Sequence, residues 1–170
     1  MEESWSNMDV IIRKATLNDV KSLISMANEL TLYHQLLSKN NTDQQVYLKK
    51  AGNFDKMWKK WIVKNIKSHN SLVLVAEADL KLVAYSISLI KQNVPVYNLR
   101  RIGSLNDFYV TPEYRGTGIT SMFKNKAIKW FKGKGVKYVS IPLHKSNKKA
   151  YRIYRNWGFD DYSIEMRKRI

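Results

Sequence analysis

Cysteine is absent from all 170 residues of this sequence. Without thiols the chain can form neither a disulfide framework nor a thiolate zinc site, and a covalent mechanism through a thiol is excluded. The three histidines, His34, His69 and His144, are far apart in sequence and show no metal-ligand spacing. The sequence therefore predicts that no metal is bound.

Proline and glycine are also scarce, with three and seven residues, and no stretch rich in them offers a linker. No apolar run approaches the roughly 18–20 residues that a membrane-spanning helix needs. Residues 1–5 are acidic and lack the apolar stretch of a signal peptide. We therefore expect one cytoplasmic domain over residues 1–170, away from the membrane, with residues 1–9 as a flexible N-terminal extension.

Positive charge is in large excess, since 30 Lys and Arg oppose 14 Asp and Glu to give a formal net charge of +16. This balance favours a polyanionic partner, such as nucleic acid, an anionic membrane surface or a phosphate-rich cofactor. Solvated lysine faces are the ordinary explanation for any single lysine. The basic residues are dispersed along the chain, and no nucleic-acid-binding motif accompanies them. A nucleic-acid-binding module stays an alternative without motif support.

The period of the hydrophobic pattern changes along the chain and predicts the order of the elements. Predicted strands cover residues 10–13, 71–76, 82–90, 102–110 and 138–143, with one or two closing strands within 159–166. Predicted helices begin near residue 20, lie within 44–67, and cover 119–132 and 146–157. A polar stretch at 38–43 separates the first two helices. This order predicts a mixed sheet with helices on both faces.

A glycine-containing segment from Tyr114 to Thr120 lies between a predicted strand and a predicted helix. The first amides of a helix have no intrahelical partner, and the macrodipole adds roughly half a positive charge there. Gly116 and Gly118 permit close approach of an anion and positive φ, and Arg115 adds a formal charge. The segment lacks the ending of a nucleotide P-loop and the spacing of a dinucleotide fingerprint. By itself it predicts an anion site.

Two motifs resemble those of the GCN5-related N-acetyltransferase superfamily. The first family signature is Gln/Arg-x-x-Gly-x-Gly/Ala after an apolar strand; Arg115 and Gly118 match it, and Thr120 replaces the final small residue. The second is Asn-x-x-Ala-x-x-x-Tyr-x-x-x-Gly-Phe. All five of its positions match at the right spacing, at Asn147, Ala150, Tyr154, Gly158 and Phe159. The element order also fits from about residue 11 onward, so the resemblance covers most of the chain.

The resemblance implies an α/β (α+β) fold with a mixed, mostly antiparallel sheet of six to seven strands. It also implies that the strands ending near residues 110 and 143 run parallel and splay apart, with acetyl-CoA in the wedge. The pantetheine arm would bond the first strand, the pyrophosphate would lie on the loop amides, and Asn147 would contact the pantetheine or hold the second wall. The implied cofactor-binding residues are Phe108, Tyr109, Val110, Arg115, Gly116, Thr117, Gly118, Ile119, Thr120 and Asn147.

Acetyl transfer from a thioester to an amine needs a neutral amine, although a lysine-like amine has a pKa near ~10.4. The departing thiolate gains from a nearby acid. Because the chain has no cysteine, direct attack within a ternary complex is the simplest route. Tyr154 matches the tyrosine of the family and shares a helical face with Ala150 and Trp157. We therefore predict that Tyr154 is the general acid. A core aromatic whose hydroxyl is satisfied locally is the alternative for this residue.

The general base is left open. Asp107 lies within an otherwise apolar strand, where desolvation raises the pKa of a carboxyl group. Its alternative is a structural acceptor for backbone or lysine donors. Glu29, His34 and His144 are further candidates on the acceptor side, and an ordered water relay is another route. Asn106, at a position where relatives often have glutamate, cannot act as a base.

These observations predict an acetyl-CoA-dependent N-acetyltransferase that acts on a primary amine of a small molecule or a protein, without a metal. The alternatives are a basic nucleic-acid-binding module and a non-catalytic acetyl-CoA sensor on the same fold. A homodimer is left open. The positive charge argues against a highly cationic polyamine acceptor because of long-range repulsion.

Overall fold

Five strands form one sheet in a computed structural model that describes residues 9–38, 45–168 and 170. In chain order they are β1 Ile11–Lys14, β2 Ser71–Ala78, β3 Lys81–Gln92, β4 Arg101–Val110 and β5 Val139–Ser140. The first four strands pair antiparallel with their neighbours, and β5 pairs parallel with β4. The mixed, mostly antiparallel sheet confirms the expected fold class.

The sheet is accompanied by helices α1 Val20–Leu37, α2 Phe54–Lys67, α3 Ile119–Gly133 and α4 Lys148–Asn156. Helices α1 and α2 pack on one face of the sheet and α3 packs on the other. The expected helices on both faces are therefore present. The expected N-terminal extension, apart from residue 9, lies outside the described residues, as does most of the polar stretch at 38–43.

Strand β2 contributes to two hydrophobic cores, one on each face of the sheet, because successive side chains of a strand point to opposite faces. Val73 and Val75 are buried with residues of α1 and α2. Leu72 and Leu74 are buried on the other face with Phe123 of α3. The sheet is therefore covered on both sides, and its functional surface has to lie at an end or an edge.

An ion-pair network fastens the start of α1 to the sheet. Both guanidinium nitrogens Nη1 and Nη2 of Arg13 donate to the carboxylate of Asp19, at 2.8 and 2.9 Å. Arg13 also donates to Glu77 Oε2 on β2, at 2.9 and 3.1 Å, and the amide of Thr16 donates to Asp19 Oδ2 at 2.7 Å. The network joins β1, β2 and the first turn before α1.

The expected closing strands and the length of the strand at 138–143 are wrong. Within the described residues the segment 159–166 contains no strand, and Tyr162, Ile164 and Met166 are at least 90% exposed. Strand β5 covers two residues, because Pro142 has no N–H to donate to a ladder. An alternating apolar pattern forms a strand only beside an available edge, and two-residue β5 provides almost none. In the described part of the chain the sheet therefore has five strands rather than six or seven.

None of the helices in the described ranges combines the length and the apolarity that crossing a bilayer requires.

Candidate active site

Strands β4 and β5 form a wedge that opens toward the C-terminal end of β4. They pair only at Gly103 with Val139 and at Ser104 with Ser140. Beyond this point the strands separate, and residues 105–110 of β4 have no β5 partner along this side. The parallel, splayed pair that the family resemblance implied is therefore present.

A β-bulge in β4 lies beside the wedge. In the ladder with β3, Asp107 is opposite Ile87 while Leu105 is opposite Ser88, so Asn106 is the extra residue. Bulges bend a strand and redirect its side chains. Asp107 shares the α1–α2 face of the sheet with its partner Ile87, which is buried there. The bulge therefore introduces a carboxylate into a row that is otherwise apolar.

The surroundings of Asp107 make its protonation sensitive to pH near neutrality. Burial raises the pKa of Asp107 to about 6, while the neighbouring amide of Asn106 and the positive charge of Lys91 act in the opposite direction. The ammonium Nζ of Lys91 donates in turn to Asn106 Oδ1 at 3.3 Å. At pH 7 most of the carboxyl groups are ionised and able to accept a proton.

Helix α4 brings Tyr154 to the same cleft. Asn147 caps the helix, since its side-chain oxygen Oδ1 accepts from the amide of Ala150 at 3.1 Å. The Tyr154 ring centroid lies 5.4 Å from that of Trp157, which contacts Phe108 of β4 edge-on. Burial, together with the negative charge of Asp107, raises the pKa of Tyr154 to about 12. Its hydroxyl is therefore protonated at neutral pH and lies within the electrostatic influence of Asp107.

The loop between β4 and α3 presents backbone amides to the cleft. Gly116 and Gly118 adopt φ of 88° and 85°, a region that favours glycine. Gly118 is the N-cap of α3, and no side-chain cap is found there among the described residues. The amide of Met122 donates to the carbonyl of Gly118 as the helix begins, so the amides at 119–121 precede the intrahelical ladder. No atom lies within 4 Å of an ideal Cβ at either glycine, which leaves room for a phosphate.

The side chains of this loop are engaged within the protein. Arg115 Nε donates to the carbonyl of Val110 at 3.1 Å, and its guanidinium lies 5.6 Å from the ring centroid of Tyr33 on α1. Thr117 donates to the carbonyl of Tyr114 at 2.7 Å. Arg115 therefore joins the end of β4 to α1.

The remaining predicted cofactor-binding residues differ in burial. Ile119 is a core residue, and Phe108 and Val110 pack toward α3. Thr120 is half-buried in the first turn of α3. All four residues line the cleft.

Tyr109 has a side-chain contact that the sequence did not indicate. Its hydroxyl donates to the carboxylate of Glu29 on α1, 80 residues earlier in the chain. Burial and this hydrogen bond raise the pKa of Tyr109 to about 12. Glu29, a candidate base on the acceptor side, is therefore engaged in a hydrogen bond to a core tyrosine.

His34 and His144 both line the cleft although they are distant in sequence. The amide of Ser146 donates to His144 Nδ1 at 3.3 Å, so in the neutral ring Nε2 carries the proton and faces Ser38 Oγ at 3.3 Å. Burial lowers the pKa of His34, and the charge of His144 adds to this effect. Within the described residues, no group of three or more His, Asp or Glu side chains could hold a metal ion.

The family model described as acetyltransferase (GNAT) family matches residues 31–159. The match includes the loop, the wedge and the whole of α4. The chain therefore belongs to the GNAT acetyltransferase family.

Known proteins agree with this assignment. An uncharacterized N-acetyltransferase of Methanocaldococcus jannaschii is 26% identical over 127 residues. The match covers 71% of this chain but only 56% of that relative, so the chain spans little more than half of its length.

Two solved structures share the fold. A tetramutant of the BH1408 protein from Bacillus halodurans superposes with a TM-score of 0.78 at 21% identity, covering 94% of this chain and 99% of that one. A predicted acetyltransferase from Clostridium acetobutylicum, solved with acetyl-CoA, has a TM-score of 0.74 at 17% identity, with coverage of 94% and 96%.

Proposed function

We propose that this chain transfers the acetyl group of acetyl-CoA to a primary amine of a small molecule or a protein, by direct attack in a ternary complex. The observation that carries the proposal is that Asp107 and Tyr154 share one cleft beside a helix N-terminus with open amides. Membership of the acetyltransferase family supports the reaction class.

The cleft has the chemistry that acetyl-CoA requires. Amides of the loop from Gly116 to Thr120 would hold the pyrophosphate, and the edge of β4 at residues 108–110, where β5 does not pair, would bond the pantetheine arm. The Asn147 oxygen is used as a helix cap, which leaves its amide nitrogen to donate. The cleft is wide and open to solvent, with about 2720 Å³, whereas a site for one small ligand occupies roughly 300–1,000 Å³. This opening leaves room for acetyl-CoA and an acceptor side by side.

Asp107 and Tyr154 have complementary protonation states for this reaction. Bound acetyl-CoA would supply a thioester, whose acetyl carbon bonds to the acceptor nitrogen as its bond to sulfur breaks. The ionised carboxylate of Asp107 would take the proton that the nitrogen loses. The protonated hydroxyl of Tyr154 would give its proton to the departing sulfur, and water would return both side chains to their starting states.

Calorimetry with acetyl-CoA tests the cofactor half of this proposal. We expect saturable binding at physiological salt, with one acetyl-CoA per chain. Pantetheine, which lacks the phosphates, should bind much more weakly because it cannot use the loop amides. Absence of acetyl-CoA binding would contradict the proposal. Binding without turnover of any amine would reduce the function to that of an acetyl-CoA sensor.

A further inference from the structure

A cation, an amide and a carboxylate lie together on one wall of the cleft. Lys91 Nζ donates to Asn106 Oδ1 at 3.3 Å, and Asn106 directly precedes Asp107 in β4. The Asn106 amide and the positive charge of Lys91 both act to lower the pKa of Asp107. All three residues line the cleft. The lysine ammonium is therefore held beside the residue that precedes the carboxylate we assign as the base.

The fold creates this arrangement from residues that are distant in sequence. Tyr85, Ile87 and Leu89 of β3 pack in turn against α1 and α2, and Lys91 continues that row at its exposed end. The bulge at Asn106 then carries the chain into Asp107 opposite Ile87. Lys91 and Asp107 consequently lie on the same face of the sheet, at the same opening.

Lys91 retains donors for a ligand. An ammonium group has three N–H donors and no acceptor, and one of them is directed at Asn106. The other two can bind an anionic group by charge-assisted hydrogen bonds, which are stronger than neutral ones. The net charge of +16 adds long-range attraction for an anion.

We propose that Lys91, held in place by Asn106, binds an acidic group of the acceptor, so that the acceptor is a small amine with a carboxylate or a phosphate close to its nitrogen. This inference rests on the proposed acetyl transfer. The acidic group binds Lys91 while the nitrogen faces Asp107. The acidic group takes no part in the transfer itself, in which the acetyl group moves from sulfur to nitrogen.

Matched pairs of acceptors test the inference through kcat/KM measured by thiol release. L-phenylalanine is compared with L-phenylalaninamide, and O-phosphoethanolamine with ethanolamine; each pair differs mainly in the acidic group. The amine of phenylalaninamide loses its proton more readily than that of phenylalanine. A preference for phenylalanine would therefore run against intrinsic reactivity. The two pairs also distinguish carboxylate from phosphate as the recognised group.

The expected result is a preference of about tenfold or more for the acid-bearing member of at least one pair. Lys91→Met should bring this ratio close to one, and Lys91→Arg should retain part of it. The matched control is Lys81→Met, because Lys81 is exposed at the opposite end of the same strand. It should keep the full preference.

A second readout separates this role from a general structural one. Removing the positive charge of Lys91 takes away an effect that lowers the pKa of Asp107. The acidic limb of kcat/KM should therefore move to higher pH in Lys91→Met and stay in place in Lys81→Met.

Two results would overturn the inference while leaving the proposed function intact. One is that the uncharged member of both pairs is turned over equally well or better, and the other is that the preference for the acid-bearing member survives in Lys91→Met. The inference would also be overturned, and the proposed function kept, if other amines were acetylated but neither phenylalanine nor O-phosphoethanolamine was. Failure to acetylate any amine would overturn the inference and the proposed function together.

Discussion

The ring of Phe131 packs so closely on Gly103 that a methyl group at this glycine would lie 2.8 Å from ring atom Cε1. Phe131 is only 1% exposed and belongs to the core between α3 and the sheet. Gly103 is also the first residue of β4 that pairs with β5. The contact therefore fixes α3 against the point from which the wedge opens.

Gly103→Ala should destabilise the fold, because the buried ring cannot move aside without disturbing its neighbours. Overpacking of this kind costs about 1–3 kcal/mol, which should appear as a lower midpoint in urea unfolding. Gly133→Ala is the control, since no atom lies within 4 Å of its ideal Cβ and it ends a helix. An unchanged midpoint for Gly103→Ala would contradict the packing described here.

Asp19→Asn should destabilise the fold at neutral pH and have less effect in acid. Hydrogen bonds from Arg13 lower the pKa of Asp19 from 3.8 to about 2. Because the pKa is lower in the folded state, the ionised carboxylate of Asp19 contributes about 2 kcal/mol to the free energy of unfolding. This contribution is complete above pH ~4 and is lost as pH falls toward 2.

Unfolding free energies of the parent and of Asp19→Asn, measured between pH 2 and pH 7, check this prediction. The two curves should converge toward pH 2. Glu165→Gln, which removes an exposed partner of Arg167, should follow the parent throughout. Parallel curves for parent and Asp19→Asn would contradict the assignment.

Tyr154→Phe should lower kcat by about 10²–10⁴-fold, the usual contribution of a positioned acid. Acetyl-CoA binding should change little, because the substitution removes only a hydroxyl. The matched control is Tyr151→Phe, on the same helix, whose hydroxyl donates to Asp161 in the exposed tail. If Tyr154→Phe retained the parental kcat across the pH range, the general acid would have to be another group.

Asp107→Asn should abolish the acidic limb of the pH–rate profile. Burial raises the pKa of Asp107 to about 6, so the carboxyl group is protonated below this pH and can accept a proton only above it. The parental kcat/KM should accordingly rise through pH ~6. Asp160→Asn, which alters an exposed carboxylate at the rim of the cleft, should keep the limb. A limb that persists in Asp107→Asn would assign the base to another group or to water.

Gly118→Ala should weaken acetyl-CoA binding more than it weakens the fold. The backbone φ of 85° costs an alanine roughly 1–2 kcal/mol, and relief of that strain would turn the first amides of α3. The added methyl meets no atom, so a steric clash does not contribute. Calorimetry should report an affinity lower by about tenfold, alongside a small decrease in thermal stability. Parental affinity would argue against a role of these amides in binding.

The fold class and the main landmarks of the site could be predicted from local pattern. The continuous apolar run from Leu72 to Val75 indicates a strand buried on both faces, and the glycines before Ile119 indicate a turn into a helix. The closing strands could not be predicted correctly, because Tyr162, Ile164 and Met166 carry the alternation of a strand without an edge beside them. Periodicity reports which residues share a face but not whether a partner strand exists.

The contacts that define the acceptor side could not be predicted in this way. The contact between Lys91 and Asn106 depends on the β3–β4 ladder and its bulge, and the hydrogen bond from Tyr109 to Glu29 joins residues 80 positions apart. Arg115 carries a charge that suggests phosphate, yet its side chain donates to the carbonyl of Val110. Such contacts depend on tertiary geometry that no local spacing encodes.

The most direct test of the proposed acetyl transfer is product formation with acetyl-CoA and a broad panel of primary amines. Thiol release is measured in parallel with the mass of the N-acetylated product, for the parent and for the Asp107→Asn, Tyr154→Phe double variant. Direct transfer with Asp107 as base and Tyr154 as acid predicts one N-acetyl product per thiol released by the parent. It also predicts a rate reduced by at least about a hundredfold in the double variant. Binding of acetyl-CoA without any N-acetyl product across the panel, or a double variant as fast as the parent, would contradict it.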